Sequence, residues 1–208
     1  MYIPRHFHEQ DEPRLLALMG QYGFATLVTS DPQGVPFATH LPLLVERDEG
    51  GRLLLKGHVA RANPQWRSFA DKREVLAIFQ GPHAYVSPSC YSAPSVPTWN
   101  YAVVHAYGTP SLVEEPGKVL LSMRQLASKY EAGRDEPWSP DAAEAVVSRL
   151  LAGIVAFELA ITRLEGKFKL GQNRDARDYD GVMRFVGLGD QHGSQGLVEL
   201  MKAYEPQG

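Results

Sequence analysis

A mainly β fold, a small closed or partly open barrel with peripheral helices, is predicted by three observations. Short turns join three β-rich runs early in the chain, strand-like runs outnumber helical ones, and the helical spacings fall between strands without regular alternation. The 208 residues, 44% hydrophobic and 22% charged, can bury one substantial core. The expectation is one domain over residues 1–208, with a helical insertion at about 115–152 and a C-terminal helical tail at about 190–208.

Tyr22–Ser30 is rich in β-formers and stops at Asp31-Pro32-Gln33-Gly34, where proline and glycine suit a turn. Val35–Glu46 returns as a second strand, and after Asp48-Glu49-Gly50-Gly51 a third runs over Arg52–His58. Ala62–Lys72 reads as a short helix, with Asn63 as N-cap and Pro64 in its first turn. Glu74–Gln80 is too apolar for an exposed edge, His83–Pro97 is irregular, and Trp99–Val113 is again strand-like. In Pro116–Glu131 the apolar residues Val119, Leu120, Met123, Leu126, Ala127 and Tyr130 follow helical spacing, and Ser139–Leu151 forms a second helix. A long strand starts at Val155, Phe157, Leu159 and Ile161, and Leu197–Tyr204 is a terminal helix. This gives about six or seven strands.

Net charge is −3, so no basic surface of the kind a duplex-DNA reader presents is forced by composition. The single cysteine, Cys90, rules out an intramolecular disulfide and any multi-cysteine metal site. The start lacks the apolar core of a signal peptide, and no apolar run approaches the roughly 20 residues of a membrane span. A cytoplasmic protein, with no membrane partner, is expected. The seven histidines show no HExxH or other metal spacing, and no nucleophile or acid/base pair stands out.

Three segments carry usable chemistry. Lys56–Trp66, KGHVARANPQW, offers fixed positive charge, side-chain donors and a helix N-terminus, the equipment for holding a phosphate. Arg61 would be the bidentate clamp, with Lys56 and Asn63 as supporting donors; taken alone, a solvated polar connection explains the segment slightly better. Pro82–Gly108 holds Tyr85, Tyr91, Trp99, Tyr101 and Tyr107 on a proline-stiffened stretch, suited to walling a flat heterocycle or to filling a core or subunit interface, with Asn100 as the polar contact. In EGKFKLGQNR, Lys167 and Lys169 share one face of an extended segment and Gln172 and Asn173 follow, which is equally the pattern of a solvated charged face.

In series, MYIPRHF, GHVARANPQW, AIFQGPHAYVSPSCY, VPTWNYAVVHAYG and GKFKLGQNR resemble the PaiB-type family, described as FMN-binding negative transcriptional regulators. The resemblance covers nearly the whole chain; Cys90 stands where the family commonly has tryptophan. It implies a split β-barrel of the flavin-reductase and pyridoxamine-phosphate-oxidase kind, a homodimer with two FMN sites at the subunit interface. On that resemblance the ribityl phosphate falls to Lys56, Gly57, His58, Arg61 and Asn63, and the ring lies beside Thr39 and His40. Trp99 and Asn100, with Lys169 and Gln172 from the other subunit, complete the site. The alternatives are a flavin-dependent oxidoreductase acting on a small substrate, and a haem-binding or haem-degrading split barrel. Direct DNA reading is not expected: the linker Ala132–Trp138 exceeds the roughly 3–4-residue turn of a helix-turn-helix, and Arg149 is the lone cation of the second helix.

Overall fold

The computed structural model describes residues 1–140, 144–189 and 193–204, and only the backbone of Glu144, Ala145 and Ser148. The described strands are β1 (His8–Glu9), β2 (Phe24–Ser30), β3 (Pro36–Pro42), β4 (Leu44–Arg47), β5 (Leu53–Ala60), β6 (Val75–Val86), β7 (Thr98–Val113) and β8 (Ile154–Lys169). Their hydrogen-bonded order is β3-β2-β6-β7-β8-β5-β4, with β1 on β8. The helices are α1 (Glu12–Gln21), α2 (Pro116–Glu131), α3 (Glu144–Leu151), α4 (Ala176–Leu188) and α5 (Ser194–Lys202). The fold is mixed α+β and mainly β, as the sequence predicts.

The chain forms two compact units: Met1–Tyr22, Phe79–His105 and Leu164–Gly208 make the first, Gly23–Ile78 and Ala106–Arg163 the second. Strands β6, β7 and β8 contribute a stretch to each.

In the second unit, β2 and β3 make the expected hairpin. The Asp31 carboxylate accepts from Gln33 N–H at 2.9 Å and Val35 N–H at 2.8 Å, and Gly34 takes the positive φ the turn requires. The expected second strand is in fact two. Pro42 cannot donate to a ladder, and beyond it the chain leaves β2 and pairs with β5 as β4. Leu43, at the switch, is fully buried and donates its N–H to the Gly23 carbonyl at 2.8 Å. Leu27, Leu55, Phe69, Phe157 and Leu159 fill the core, and the Phe69 and Phe157 rings pack at 5.0 Å.

The first unit holds two helices the sequence reading passes over. Asp11 caps α1, accepting from Arg14 N–H at 3.0 Å, with Leu15, Leu18 and Met19 buried at helical spacing. Asp175 caps α4 in the same way, and Tyr179, Val182 and Val186 are buried. The Tyr179 hydroxyl donates to the Met201 carbonyl at 2.7 Å, tying α4 to α5. β6 runs to Val86, past the expected end at Gln80, and β8 runs to Lys169. α2 matches its expected bounds; the expected start of α3 includes residues 141–143, outside the described residues.

Gly108 sits where β7 crowds β8, and a Cβ there would collide with the Ala160 carbonyl and the Leu159 side chain. Backbone cannot yield as a flexible side chain can. Gly108→Ala should therefore lower unfolding free energy by about 2 kcal/mol in a urea titration; a change near zero would mean this approach is looser than described.

Candidate functional site

The Lys56–Trp66 segment divides into a strand half and a turn half. In the strand half, Lys56, Gly57 and His58 stand opposite Glu158, Phe157 and Ala156 of β8, so period-two alternation sends Lys56 and His58 to one face and Gly57 to the other. Lys56 Nζ lies 2.7 Å from Glu46 and 3.9 Å from Glu158, which absorb its charge within the fold. Gly57 is buried, and a Cβ would run into Leu43 and Phe157; it serves close packing and does not present a loop N–H. His58 has no hydrogen-bond partner among the described residues, its Nδ1 is sealed from solvent, and burial lowers its pKa.

The turn half brings the predicted residues together. Asn63 caps the 3-10 helix Pro64–Asp71, accepting from Gln65 N–H at 3.0 Å, while its Nδ2 donates to Thr39 Oγ1 of β3 at 2.9 Å. Arg61 is exposed yet fixed, its Nε donating to the Ala152 carbonyl at 2.7 Å and an Nη to that of Ile154 at 2.8 Å. Its remaining N–H groups have no partner among the described residues. The Trp66 indole N–H closes the turn on the Arg61 carbonyl at 3.0 Å. His40, next to Thr39, points to the opposite face of β3 and is exposed.

Gln65 is the residue that sequence reasoning missed. Its side chain is buried, and the two N–H groups of Nε2 are shared among three acceptors, the Leu27 carbonyl at 3.0 Å, the Phe37 carbonyl at 3.2 Å and Thr29 Oγ1 at 3.3 Å, while Oε1 has no partner among the described residues. One signal was available: a polar residue two past the N-cap, on the inward side of a short helix.

In the first unit Trp99 is 52% exposed and makes ring contacts with Tyr85 at 6.0 Å and His83 at 6.2 Å. Lys169 Nζ donates to the Trp99 carbonyl at 2.8 Å and to Thr98 Oγ1, and burial followed by the charges of Lys167 and Arg174 lowers its pKa. Lys167 stands over the Tyr101 ring at 5.5 Å and Arg174 over Tyr91 at 4.2 Å. Asn100 and Gln172 are occupied by the fold. Asn100 is buried against Met201 Sδ, and Gln172 bonds the Phe168 carbonyl and the Leu170 N–H. Cys90 ends a short 3-10 turn whose carbonyl leaves room only for glycine at position 181 of α4, and burial raises its pKa. Among the described residues no group of three or more His, Cys, Asp or Glu side chains is placed to hold a metal ion.

Comparison with known proteins adds a family and a fold. Residues 1–163 match the family described as "Putative FMN-binding domain". The chain is 37% identical to the protease synthase and sporulation protein PAI 2 of Bacillus subtilis (strain 168), over 97% of both chains. Solved structures that share the fold include the following two. The flavocytochrome Anf3 from Azotobacter vinelandii has TM-score 0.62 at 16% identity, over 86% of this chain and 78% of its own. The FAD and haem binding protein from Mycobacterium smegmatis has TM-score 0.59 at 19% identity, over 83% and 78%. These likenesses agree with the expected split-barrel class. At such low identity they carry the fold alone, and neither the oxidoreductase nor the haem alternative is favoured. No helix among the described residues is long and apolar enough to cross a membrane.

Asn63→Ala removes the cap and the link to β3 together, so it should cost about 1–2 kcal/mol of unfolding free energy. Thr39→Val, which leaves the cap in place, should cost less; equal losses would show that the cap carries nothing separate from the bridge. Burial also lowers the pKa of His105, with the N-terminal ammonium acting in the same direction. The unfolded chain takes up protons on His58 and His105 before the folded chain does, so stability falls as pH drops below the ordinary histidine value of about 6.5. Urea unfolding from about pH 8 to about pH 5 should show this loss, and His58→Phe should make the acid limb shallower; an identical limb would remove His58 as a contributor.

Proposed function

Because this chain belongs to the PaiB-type FMN-binding family, we propose that it holds FMN at the turn formed by Arg61, Asn63 and Thr39. The observation that carries the placement is the fixed Arg61 guanidinium. Two carbonyls hold it from one side, and its other N–H groups are left for an anion beside the capped start of a helix. The residues therefore fit the phosphate end of FMN. The Asn63–Thr39 bridge keeps the turn against β3, whose exposed Phe37 offers apolar surface to a ring system.

The proposed site leaves out Lys56, which pairs with Glu46 and Glu158, Gly57, which packs against Leu43 and Phe157, and His58, which lines a separate cavity. Of the remaining expected contacts, Trp99 and, from the other subunit, Lys169 are proposed to meet flavin, while Asn100 and Gln172 are bonded within the fold. His40, on the exposed face of β3, is proposed as a contact at the subunit interface.

The working assembly is a homodimer with its cofactor sites at that interface. An edge strand with Phe37 41% exposed supports the reading, because such an edge is normally covered. The regulatory role is proposed to be indirect, through a metabolite or a partner and not through operator DNA. The cofactor supplies whatever redox chemistry occurs when it is bound; the residues named here bind and orient it.

Incubation with FMN followed by desalting should leave flavin absorbance on the protein, and light scattering should give the mass of two chains. Arg61→Ala should weaken FMN about 10–100-fold and riboflavin far less, because it removes charge-assisted bonds to phosphate. Equal weakening of the two ligands would contradict the assignment.

A further inference from the structure

The outward face of β5 leads to a cavity in the second unit, lined by residues of α2 and α3. It has a volume of about 500 Å³, within the usual range for small-molecule sites. Its wall is almost wholly apolar: Met123, Leu126 and Ala127 from α2, Val147 and Leu151 from α3, and the Trp138 ring. Among the described residues no lysine or arginine lines it. The one carboxylate that lines it among the described residues, Glu131, already accepts from the Trp138 N–H at 3.0 Å and lies 3.3 Å from Arg134 Nε. Among the described residues an anion finds no counter-charge here, and the carboxylate that a cation would meet is already paired.

His58 is the exception in this wall. It lines the cavity from β5, and its buried Nδ1 has no hydrogen-bond partner among the described residues. Buried polar groups are ordinarily paired, so an unpaired imidazole nitrogen beside an apolar space is hydrogen-bonding capacity held for something else. We propose that this cavity binds a neutral aromatic ring compound carrying a single N–H or O–H group, with the His58 imidazole as its polar contact. The aromatic Trp138 and Tyr130 walls favour a flat ligand. The flavin reading uses none of these side chains, so the two proposals stand or fall separately.

The probe is N-phenyl-1-naphthylamine, a neutral aromatic with one N–H, titrated into the full chain by fluorescence. Saturable enhancement with one probe per chain is expected, with the anionic anilinonaphthalene sulfonate binding more weakly. His58→Phe keeps the wall apolar and removes the polar contact, and should weaken the probe about tenfold. Ala127→Phe fills the space and should weaken it at least as much. If Ala127→Phe does not fold, Leu150→Arg serves instead, because that lining residue is 60% exposed and tolerates a charge at the mouth. Absence of saturation overturns the proposal, as does binding that is indifferent to both His58→Phe and the filling variant. Binding that appears only when the protein is diluted to monomer would mean a second copy covers the face, and would overturn it as well.

Discussion

A buried N–H must find an acceptor, and the arrangement of the second unit turns on the acceptors that meet Gln65 Nε2, while its Oε1 has no hydrogen-bond partner among the described residues. Its side chain is 3% exposed and reaches three acceptors on the β2–β3 hairpin. Leaving its N–H groups without acceptors at that depth would cost on the order of 1–3 kcal/mol. The 3-10 helix is thereby held to the hairpin at one register. Asn63, two residues earlier, is then carried to Thr39, and the turn that ends at Arg61 is fixed in turn. A site on a connecting segment gains its geometry from a rigid support, and here that support is one glutamine.

The same segment shows how closely spaced polar residues come to serve unrelated ends. Strand alternation separates Lys56 and His58 from Gly57, and the chain leaves the ladder after Ala60. Lys56 becomes the centre of a carboxylate group, Gly57 an allowance for Phe157, His58 the floor of an apolar cavity, and Arg61 an outward cation. Its fixation matters because a long flexible arginine loses rotamer freedom when it captures an anion, and one already held by carbonyls loses less.

Local signals made part of this legible from sequence. The Asn63-Pro64 start of a helix, the apolar spacing of α2 and the β-formers of β7 are each complete within a few residues, and the structure has them where the sequence places them. The two missed helices, α1 and α4, also carry local signals, Asp11 and Asp175 as caps with buried residues at helical spacing, so they were available to the same reasoning. What no window reveals is partnership across the chain. Arg61 meets carbonyls at 152 and 154, Lys56 meets Glu46, and Asn100 meets Met201. The division of the Val35–Glu46 run at Pro42 is intermediate: the proline is visible, but the change of partner strand is a matter of topology. Gln65 was overlooked because burial of a polar side chain depends on which acceptors the rest of the fold brings to it.

The helical insertion bears on how a protein of this family would regulate anything. A helix that reads duplex DNA spends one face on its own core and the other on donors to phosphates and bases. In α3 the residues Val147 and Leu151 line the cavity, Val146 and Leu150 add apolar side chains that remain 46% and 60% exposed, and Arg149 is the basic residue of its last turn. Non-specific DNA affinity scales with the number of phosphates neutralised, and one cation on a short helix supplies little of it. The chemistry of the insertion is suited to shape and apolar contact. A regulatory effect carried by such a surface would follow from what occupies it, a small ligand altering the packing of α2 and α3, with no need for a nucleic-acid contact by this chain.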